Sequence, residues 1–303
     1  MASAEAEAIK ASLRDVREQV LGGDGPPPSL EDARENYSLF AALTGEPEGV
    51  SHTEVDAGGV PAVWAEPASG AGDRVIQYVH GGGYVLGAAG YYRNLTGHLA
   101  NAVGCRVLNV DYRLAPEHPH PAAVTDSVTA YRWLLDQGIE PAHVAIAGDS
   151  AGGGLTVATL LKIRDQGLPL PAAGVPLSPW IDMEGTGDSI RSRADVDLIV
   201  DDTTLKGMAD LFLAGQDPHD PYAAPLHADL TGLPPLYIQV GDEETLLDDA
   251  TRLAARAEAA GVDVRIDVFD EMQHVFQMAA GSMPEADEAV ARIGEWLRPR
   301  LGL

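Results

Sequence analysis

The chain has 303 residues, of which 45% are hydrophobic and 22% charged, which is ordinary for a soluble globular protein with a large core. Its formal net charge of −26 at pH 7 argues against nucleic acid and anionic membrane as partners, because contacts with phosphate need a basic surface. A single cysteine, Cys105, excludes an internal disulfide, and the apolar run around it predicts a buried, unreactive thiol.

The first residues have neither a basic start nor an apolar stretch, so we expect no secretory signal. No uninterrupted apolar run is long enough to span a bilayer. We therefore expect a cytoplasmic protein without membrane insertion.

Two helices are predicted at the start of the chain. Four apolar residues recur at helical spacing in the first of them: Ile9, Leu13, Val16 and Val20. The glycine- and proline-rich run 22–28 ends this helix. A second helix is predicted to start at Ser29 and to run through Phe40.

From about Ser51 the pattern changes to that of strands. A hairpin is predicted from 52–56 and 60–65 around a Gly-Gly turn, followed by six apolar strands at 75–79, 107–110, 144–147, 174–177, 236–240 and 264–268. Helix-like stretches separate most of them, for example 122–136, 154–164 and 246–260. This alternation predicts a mostly parallel sheet covered by helices on both faces.

The segment from Asp182 to about Ala223 breaks the alternation. It is polar at first and then carries the apolar cluster Met208, Leu211, Phe212 and Leu213. We interpret it as a helical insertion above the sheet.

The motif Gly148-Asp149-Ser150-Ala151-Gly152 lies between a predicted strand and a predicted helix. A sharp turn in that context lifts a serine hydroxyl to where a base can reach it. The start of the helix also directs free N–H groups and a positive dipole end toward the serine. The motif predicts Ser150 as a nucleophile.

Serine chemistry also needs a base, and His274 is the candidate, because it follows the last predicted strand. Catalytic groups of α/β sheets lie beyond the carboxyl ends of the strands. The orienting acid is expected in the stretch 240–249, where several carboxylates compete and spacing alone does not decide between them.

A glycine run after the strand 75–79 is the candidate for the oxyanion hole. Glycines let the main chain approach a substrate and direct N–H groups toward it. We predict that Gly82 and Gly83, together with Ala151 after the serine, donate to the oxyanion. His80 is interpreted as a structural residue that forms hydrogen bonds.

Three stretches, 80–83, 111–119 and 148–153, resemble the signatures of the hormone-sensitive-lipase-like carboxylesterases. The resemblance implies an α/β-hydrolase fold with a mostly parallel eight-stranded sheet flanked by helices. It implies a catalytic domain over 46–181 and 224–303, with a helical cap from 1–45 and the insertion 182–223. In the family, the stretch matching 111–119 braces the active site.

The resemblance also suggests the acid. Glu244 stands where the family usually has the catalytic aspartate, and the proline that follows that aspartate is replaced by Thr245. Asp242 is the alternative acid. Relatives often dimerise through the last strand and its helix, so a homodimer is implied as well.

The expected function is that of a serine carboxylesterase acting on small or medium acyl esters through an acyl-enzyme, with no metal or organic cofactor. The alternatives are a lactone hydrolase with the same triad, such as a monoterpene ε-lactone hydrolase, and a non-catalytic ligand receptor on the same scaffold. The residues expected to contact substrate are Tyr84, Asp149, Met183, Leu198 and Phe212. Ile199 and Leu211 are further candidates for the lining of an apolar pocket. Packing within the cap is the alternative role for the apolar residues of this set.

Overall fold

A computed structural model describes residues 2–22 and 28–303. Its centre is an eight-stranded sheet with the order β1-β2-β4-β3-β5-β6-β7-β8. The strands are β1 (Val50–Asp56), β2 (Pro61–Pro67), β3 (Ala71–Val79), β4 (Cys105–Val110), β5 (Val144–Asp149), β6 (Ala173–Leu177), β7 (Leu236–Gly241) and β8 (Val264–Phe269). Only the pairings β1–β2 and β2–β4 are antiparallel, so the predicted hairpin and mostly parallel sheet are confirmed.

Ten α-helices surround the sheet among the described residues. They are α1 (Ala4–Leu21), α2 (Leu30–Asn36), α3 (Ser38–Ala41), α4 (Arg93–Val103), α5 (Ala122–Asp136), α6 (Ala151–Asp165), α7 (Ser189–Ser192), α8 (Asp202–Leu213), α9 (Leu247–Ala259) and α10 (Pro284–Arg300). Short 3₁₀ helices occupy 89–92, 141–143, 225–227 and 276–279. None of the described helices is both long and apolar enough to cross a membrane.

Successive side chains of a strand point to opposite faces, so the sheet supports two hydrophobic cores. In β5, Val144 and Ile146 belong to the core beneath α5, α6 and α9. Ala145 and Ala147 belong to the core beneath α4 and α10. Cys105 is buried in the second core, and burial raises the pKa of its thiol to about 12, as expected for an unreactive cysteine.

The N-terminal helices form close to where they were predicted. Leu13, Val16 and Val20 are the buried apolar positions of α1 together with Ala6. The run predicted to end this helix lies mostly outside the described residues. Ser29 caps α2 by accepting a hydrogen bond from the N–H of Asp32, but the helix predicted to reach Phe40 is divided into α2 and α3.

The segment 182–223 contains the two helices α7 and α8 and is otherwise irregular. Asp201 caps α8 by accepting from the N–H of Thr204. The predicted apolar cluster is only partly a cluster, because Phe212 and Leu213 are buried whereas Leu211 is 39% exposed on the other side of the helix.

Candidate active site

Ser150 occupies the turn between β5 and α6, with φ 54° and ψ −120°. This conformation is strained for a residue with a side chain and persists only where the surroundings impose it. Here the Ser150 N–H donates to the carbonyl of Leu177 (2.8 Å), and the Ser150 carbonyl accepts from the N–H of Trp180 (2.9 Å). These bonds to the chain at and after the end of β6 hold the turn in place.

The two glycines of the motif allow the turn to sit against the end of β3. A methyl group at Gly148 or at Gly152 would overlap the carbonyl oxygen of Val79. Both positions have ordinary φ angles, so the requirement for glycine there comes from close backbone approach.

His274 and Glu244 form a buried pair beyond the ends of β8 and β7. Nδ1 of His274 lies 2.8 Å from Oε2 of Glu244, and the two residues are 5% and 0% exposed. An imidazole held in this way donates from Nδ1 and leaves Nε2 free to accept a proton. Ser150 and His274 line the same cavity. The described hydrogen bonds include none between them, a contact that often tightens only when substrate binds.

The charge of this pair is set by burial and by its partners. Burial alone would lower the pKa of His274, but the hydrogen bond and charge of Glu244, with the charges of Asp197 and Asp149, raise it above its ordinary value. For Glu244, burial raises the pKa, and hydrogen bonds from His274 and Gly241 oppose this effect. The pair is therefore suited to stabilise an imidazolium.

Sequence reasoning missed Ser178, which follows β6 with φ 43°. Its hydroxyl donates to Oε1 of Glu244 (2.9 Å) and accepts from the N–H of Val275 (3.2 Å). Oε1 also accepts from the N–H of Gly241 at 2.5 Å. Ser178 thus connects the carboxylate to the residue next to His274, a contact between distant segments that no local pattern signals.

The competing carboxylates of the acidic stretch face elsewhere. Asp242 accepts from the N–H of Glu271 (2.6 Å), and Asp248 accepts from the N–H of Ser189 (2.9 Å). Asp249 accepts from two backbone N–H groups after β6. Among these carboxylates, Glu244 alone reaches the histidine.

The glycine loop lies beside the serine. Gly82 and Gly83 line the cavity with φ angles of 106° and 61°, in the region that favours glycine. The N–H groups of Gly82, Gly83 and Ala151 find no acceptor within the described part of the chain, which leaves them available for an oxyanion.

Asp149 anchors this loop from below. Its Oδ1 accepts from the Tyr78 hydroxyl (2.8 Å) and from the N–H of Gly81 (3.0 Å). Its Oδ2 accepts from the Tyr92 hydroxyl (3.1 Å), which lies 2.9 Å from the Tyr37 hydroxyl. Burial raises the pKa of Asp149 to about 6, and the hydrogen bonds from the hydroxyls of Tyr78 and Tyr92 partly oppose this effect. A chain of hydrogen bonds therefore links the N-terminal segment to the glycine loop.

The stretch 111–119 packs behind the same loop. The Tyr112 hydroxyl donates to the carbonyl of His80 (2.7 Å), and the two rings stack with centroids 4.3 Å apart. Arg113 makes a bidentate pair with Asp126. His80 is buried, and burial lowers its pKa, which suits a neutral residue within the scaffold.

A cavity rises from Ser150 and His274 between the N-terminal helices and the segment 182–223, with a volume of about 850 Å³ when its open part is included. Apolar side chains from both sides line its upper part: Ile9, Leu13, Phe40, Leu205 and Met208. Such a lining, with few polar groups at one end, is typical of a small-molecule site.

Of the residues expected to contact substrate, Asp149 is the one that lines this cavity. Tyr84 and Phe212 are instead buried and stacked on each other, with centroids 3.8 Å apart. Met183 and Leu198 also lie outside the lining, as does Leu211. Ile199, a candidate for an apolar pocket, belongs to the lining together with Val200. The lining residues of α1, and Leu205 and Met208 of α8, were missed because they depend on how these helices pack over the sheet.

A sheet covered on both faces, a strained serine between strand and helix, and a buried histidine–carboxylate pair beyond the last strands define the α/β-hydrolase class. The family model described as alpha/beta hydrolase fold matches residues 76–278. An acetyl-hydrolase of Streptomyces hygroscopicus is 41% identical over 304 residues, which cover 100% of this chain and 99% of that protein. An esterase of Acinetobacter venetianus is 37% identical over 76% of each chain.

Solved structures of similar proteins support the assignment to the α/β hydrolases. An esterase from the bacterial hormone-sensitive lipase family superposes with a TM-score of 0.95 at 46% identity and covers 100% of both chains. A crystal of the related EstE5, soaked with p-nitrophenyl butyrate, has a TM-score of 0.91 at 40% identity, again over 100% of both chains. The chain belongs to the bacterial hormone-sensitive-lipase family of α/β hydrolases, and its enzyme class is that of the carboxylic ester hydrolases.

Proposed function

We propose that this enzyme is a serine carboxylesterase that hydrolyses small or medium acyl esters through an acyl-enzyme. The observation that carries the proposal is the buried pair of His274 and Glu244, 2.8 Å apart, at the cavity that also contains Ser150. A nucleophile, a base and an orienting acid are the three groups that acyl transfer by serine requires.

In the first half of the reaction, Oγ of Ser150 attacks the ester carbonyl carbon while Nε2 of His274 takes the hydroxyl proton. Glu244 holds the imidazole tautomer and stabilises the imidazolium. The tetrahedral oxyanion accepts hydrogen bonds from Gly82, Gly83 and Ala151. The C–O bond to the alcohol then breaks, and His274 returns its proton to the leaving oxygen.

In the second half, His274 removes a proton from water, which attacks the acyl carbon. Collapse of the second tetrahedral intermediate releases the carboxylic acid and restores the proton to Ser150. Each oxyanion donor is expected to contribute about 100- to 1,000-fold to kcat.

We also propose that residues 1–45 and 182–223 form the cap over the site. Support comes from the cavity lining, to which α1 contributes Ile9 and Leu13 and α8 contributes Leu205 and Met208. An apolar lid of this kind excludes water and favours an uncharged acyl chain. The relatives named acetyl-hydrolase and esterase are consistent with a small acyl group.

A panel of p-nitrophenyl esters and lactones of graded size tests the function. We expect turnover that is greatest for short or medium acyl esters and is abolished in Ser150→Ala, with Ser12→Ala, an exposed serine of α1, as the matched control. Trapping of the wild-type serine by a phosphonate separates an enzyme from a ligand receptor. Preferential opening of lactones would favour the lactone hydrolase, and activity retained in Ser150→Ala would refute the mechanism.

A further inference from the structure

A second group of potential ligands lies away from the cavity. Glu184, His219 and His227 bring a carboxylate oxygen and two imidazole nitrogens within 4.8 Å of one another. All three residues are exposed. None of them lines the cavity that contains Ser150 and His274, so the group is separate from the ester-hydrolysing site.

Two imidazoles and one carboxylate are a donor set that zinc commonly takes in proteins, with water in the fourth position. Bonds of about 2.1 Å in a tetrahedral site place the ligand atoms about 3.4 Å apart. Oε2 of Glu184 and Nε2 of His219 now lie 2.7 Å apart. Because all three side chains are exposed, χ rotations can adjust the distances between their ligand atoms toward this geometry.

The orientation of the rings supports this arrangement. Nδ1 of His219 lies 3.5 Å from Oδ1 of Asp217, on the opposite side of the ring from Glu184. A histidine that ligates metal through one nitrogen usually presents the other to a carboxylate or carbonyl, which fixes the tautomer. The ring of His227 packs edge-on against that of His219, with centroids 4.4 Å apart.

The charges around the group also permit a cation. Arg252 lies near His227, but its guanidinium already donates hydrogen bonds to the buried Asp182, at 2.9 Å, and to the hydroxyl of Thr186. Arg256 donates to a backbone carbonyl at 3.0 Å. The net charge of −26 raises the local concentration of cations at the surface of the whole molecule.

The positions of the ligands in the chain suggest what the ion would do. Glu184 lies near the start of the segment 182–223, a few residues after the end of β6. His219 and His227 lie where the chain returns from α8 toward β7. We propose that Glu184, His219 and His227 bind a divalent transition-metal ion of the zinc class, which clamps together the two ends of the segment that carries α8.

To test the proposal, the 303-residue enzyme is first stripped of metal with EDTA. It is then titrated with zinc in competition with a chromogenic chelator. We expect one zinc ion per chain with a dissociation constant below about 10 μM, and Tm raised by about 5 °C in excess zinc. His219→Ala and His227→Ala should each weaken binding at least about tenfold, and Glu184→Gln should do the same. Magnesium should leave Tm unchanged, because it prefers oxygen ligands.

His143→Ala, at a partly exposed histidine just before β5 and outside the cavity lining, is the matched control and should retain full zinc binding. Ester hydrolysis by the stripped enzyme and by all four variants should equal that of the wild type, so this test is independent of the proposed reaction. Absence of zinc binding by the wild type would overturn the proposal. Equal zinc affinity in wild type and a His219→Ala/His227→Ala double variant would also overturn it, because the ion would then bind elsewhere.

Discussion

Replacing Glu244 by glutamine is expected to put the proton on the wrong nitrogen of His274. Oε1 of Glu244 accepts from Ser178 and from the N–H of Gly241, while Oε2 faces Nδ1 of His274. A backbone N–H can only donate, so the single amide oxygen of glutamine has to occupy the Oε1 position. The amide NH₂ then faces Nδ1, which must accept, and the imidazole proton moves to Nε2.

An imidazole protonated at Nε2 cannot take the proton of Ser150. The same substitution of an orienting acid by its amide costs about 10⁴-fold in kcat in serine proteases, and a similar loss is expected here. At about 1.4 kcal/mol per tenfold, this corresponds to about 5 kcal/mol of activation free energy. The neighbouring Asp242 and Asp248 bond to backbone N–H groups instead, so Asp242→Asn and Asp248→Asn should change kcat less than about threefold.

The assay is kcat for p-nitrophenyl acetate in the three variants and the wild type. Tm and titration of the active serine with a phosphonate ensure that folded, competent enzyme is compared. A loss of kcat in Asp242→Asn that far exceeds the loss in Glu244→Gln would refute the reasoning and assign the role of acid to Asp242.

Three further substitutions test packing and burial. Tyr92→Phe removes a donor to the buried Asp149 and should lower the free energy of unfolding by about 1–3 kcal/mol in urea titrations. Gly152→Ala places a methyl group against the backbone at the end of β3 and should cost about 3 kcal/mol or more, with loss of activity. Asp249→Asn should remove the pH dependence that this carboxyl group gives to the free energy of unfolding. Burial raises the pKa of this acid from 3.8 to about 7, so the folded state retains a proton that the unfolded state releases. The stability of the wild type should therefore fall relative to the variant, by about 3 kcal/mol between pH 5 and pH 8.

Matched controls accompany these substitutions. Tyr222→Phe removes a donor to the exposed Asp165 and should cost less than about 1 kcal/mol, so equal costs at Tyr92 and Tyr222 would contradict the role of burial. Gly207→Ala, in α8 with open space around the new methyl group, should be neutral or stabilising by up to about 1 kcal/mol. If the difference in free energy of unfolding between Asp249→Asn and wild type did not change with pH, the pKa of Asp249 could not be raised in the folded state.

The sequence by itself determined the sheet, most of its helices and the position of the serine. These features could be predicted because they depend on residues that are neighbours along the chain. Examples are the periodicity of strands and helices, the helix cap at Ser29 and the glycines around Ser150. Resemblance to a family suggested Glu244, but periodicity and spacing left several carboxylates open.

Only the tertiary structure decided which side chains meet. Glu244 rather than Asp242 faces His274 because the turn after β7 directs one carboxylate inward and the other toward a backbone N–H. Ser178, just after β6 and far away in the sequence, joins this pair. The cavity likewise depends on the packing of α1 and α8 over the sheet, and the exposed Leu211 shows that an apolar cluster in sequence need not be one in space. Contacts between distant segments arise from the packing of the whole chain, which leaves no periodic signal in any short stretch of it.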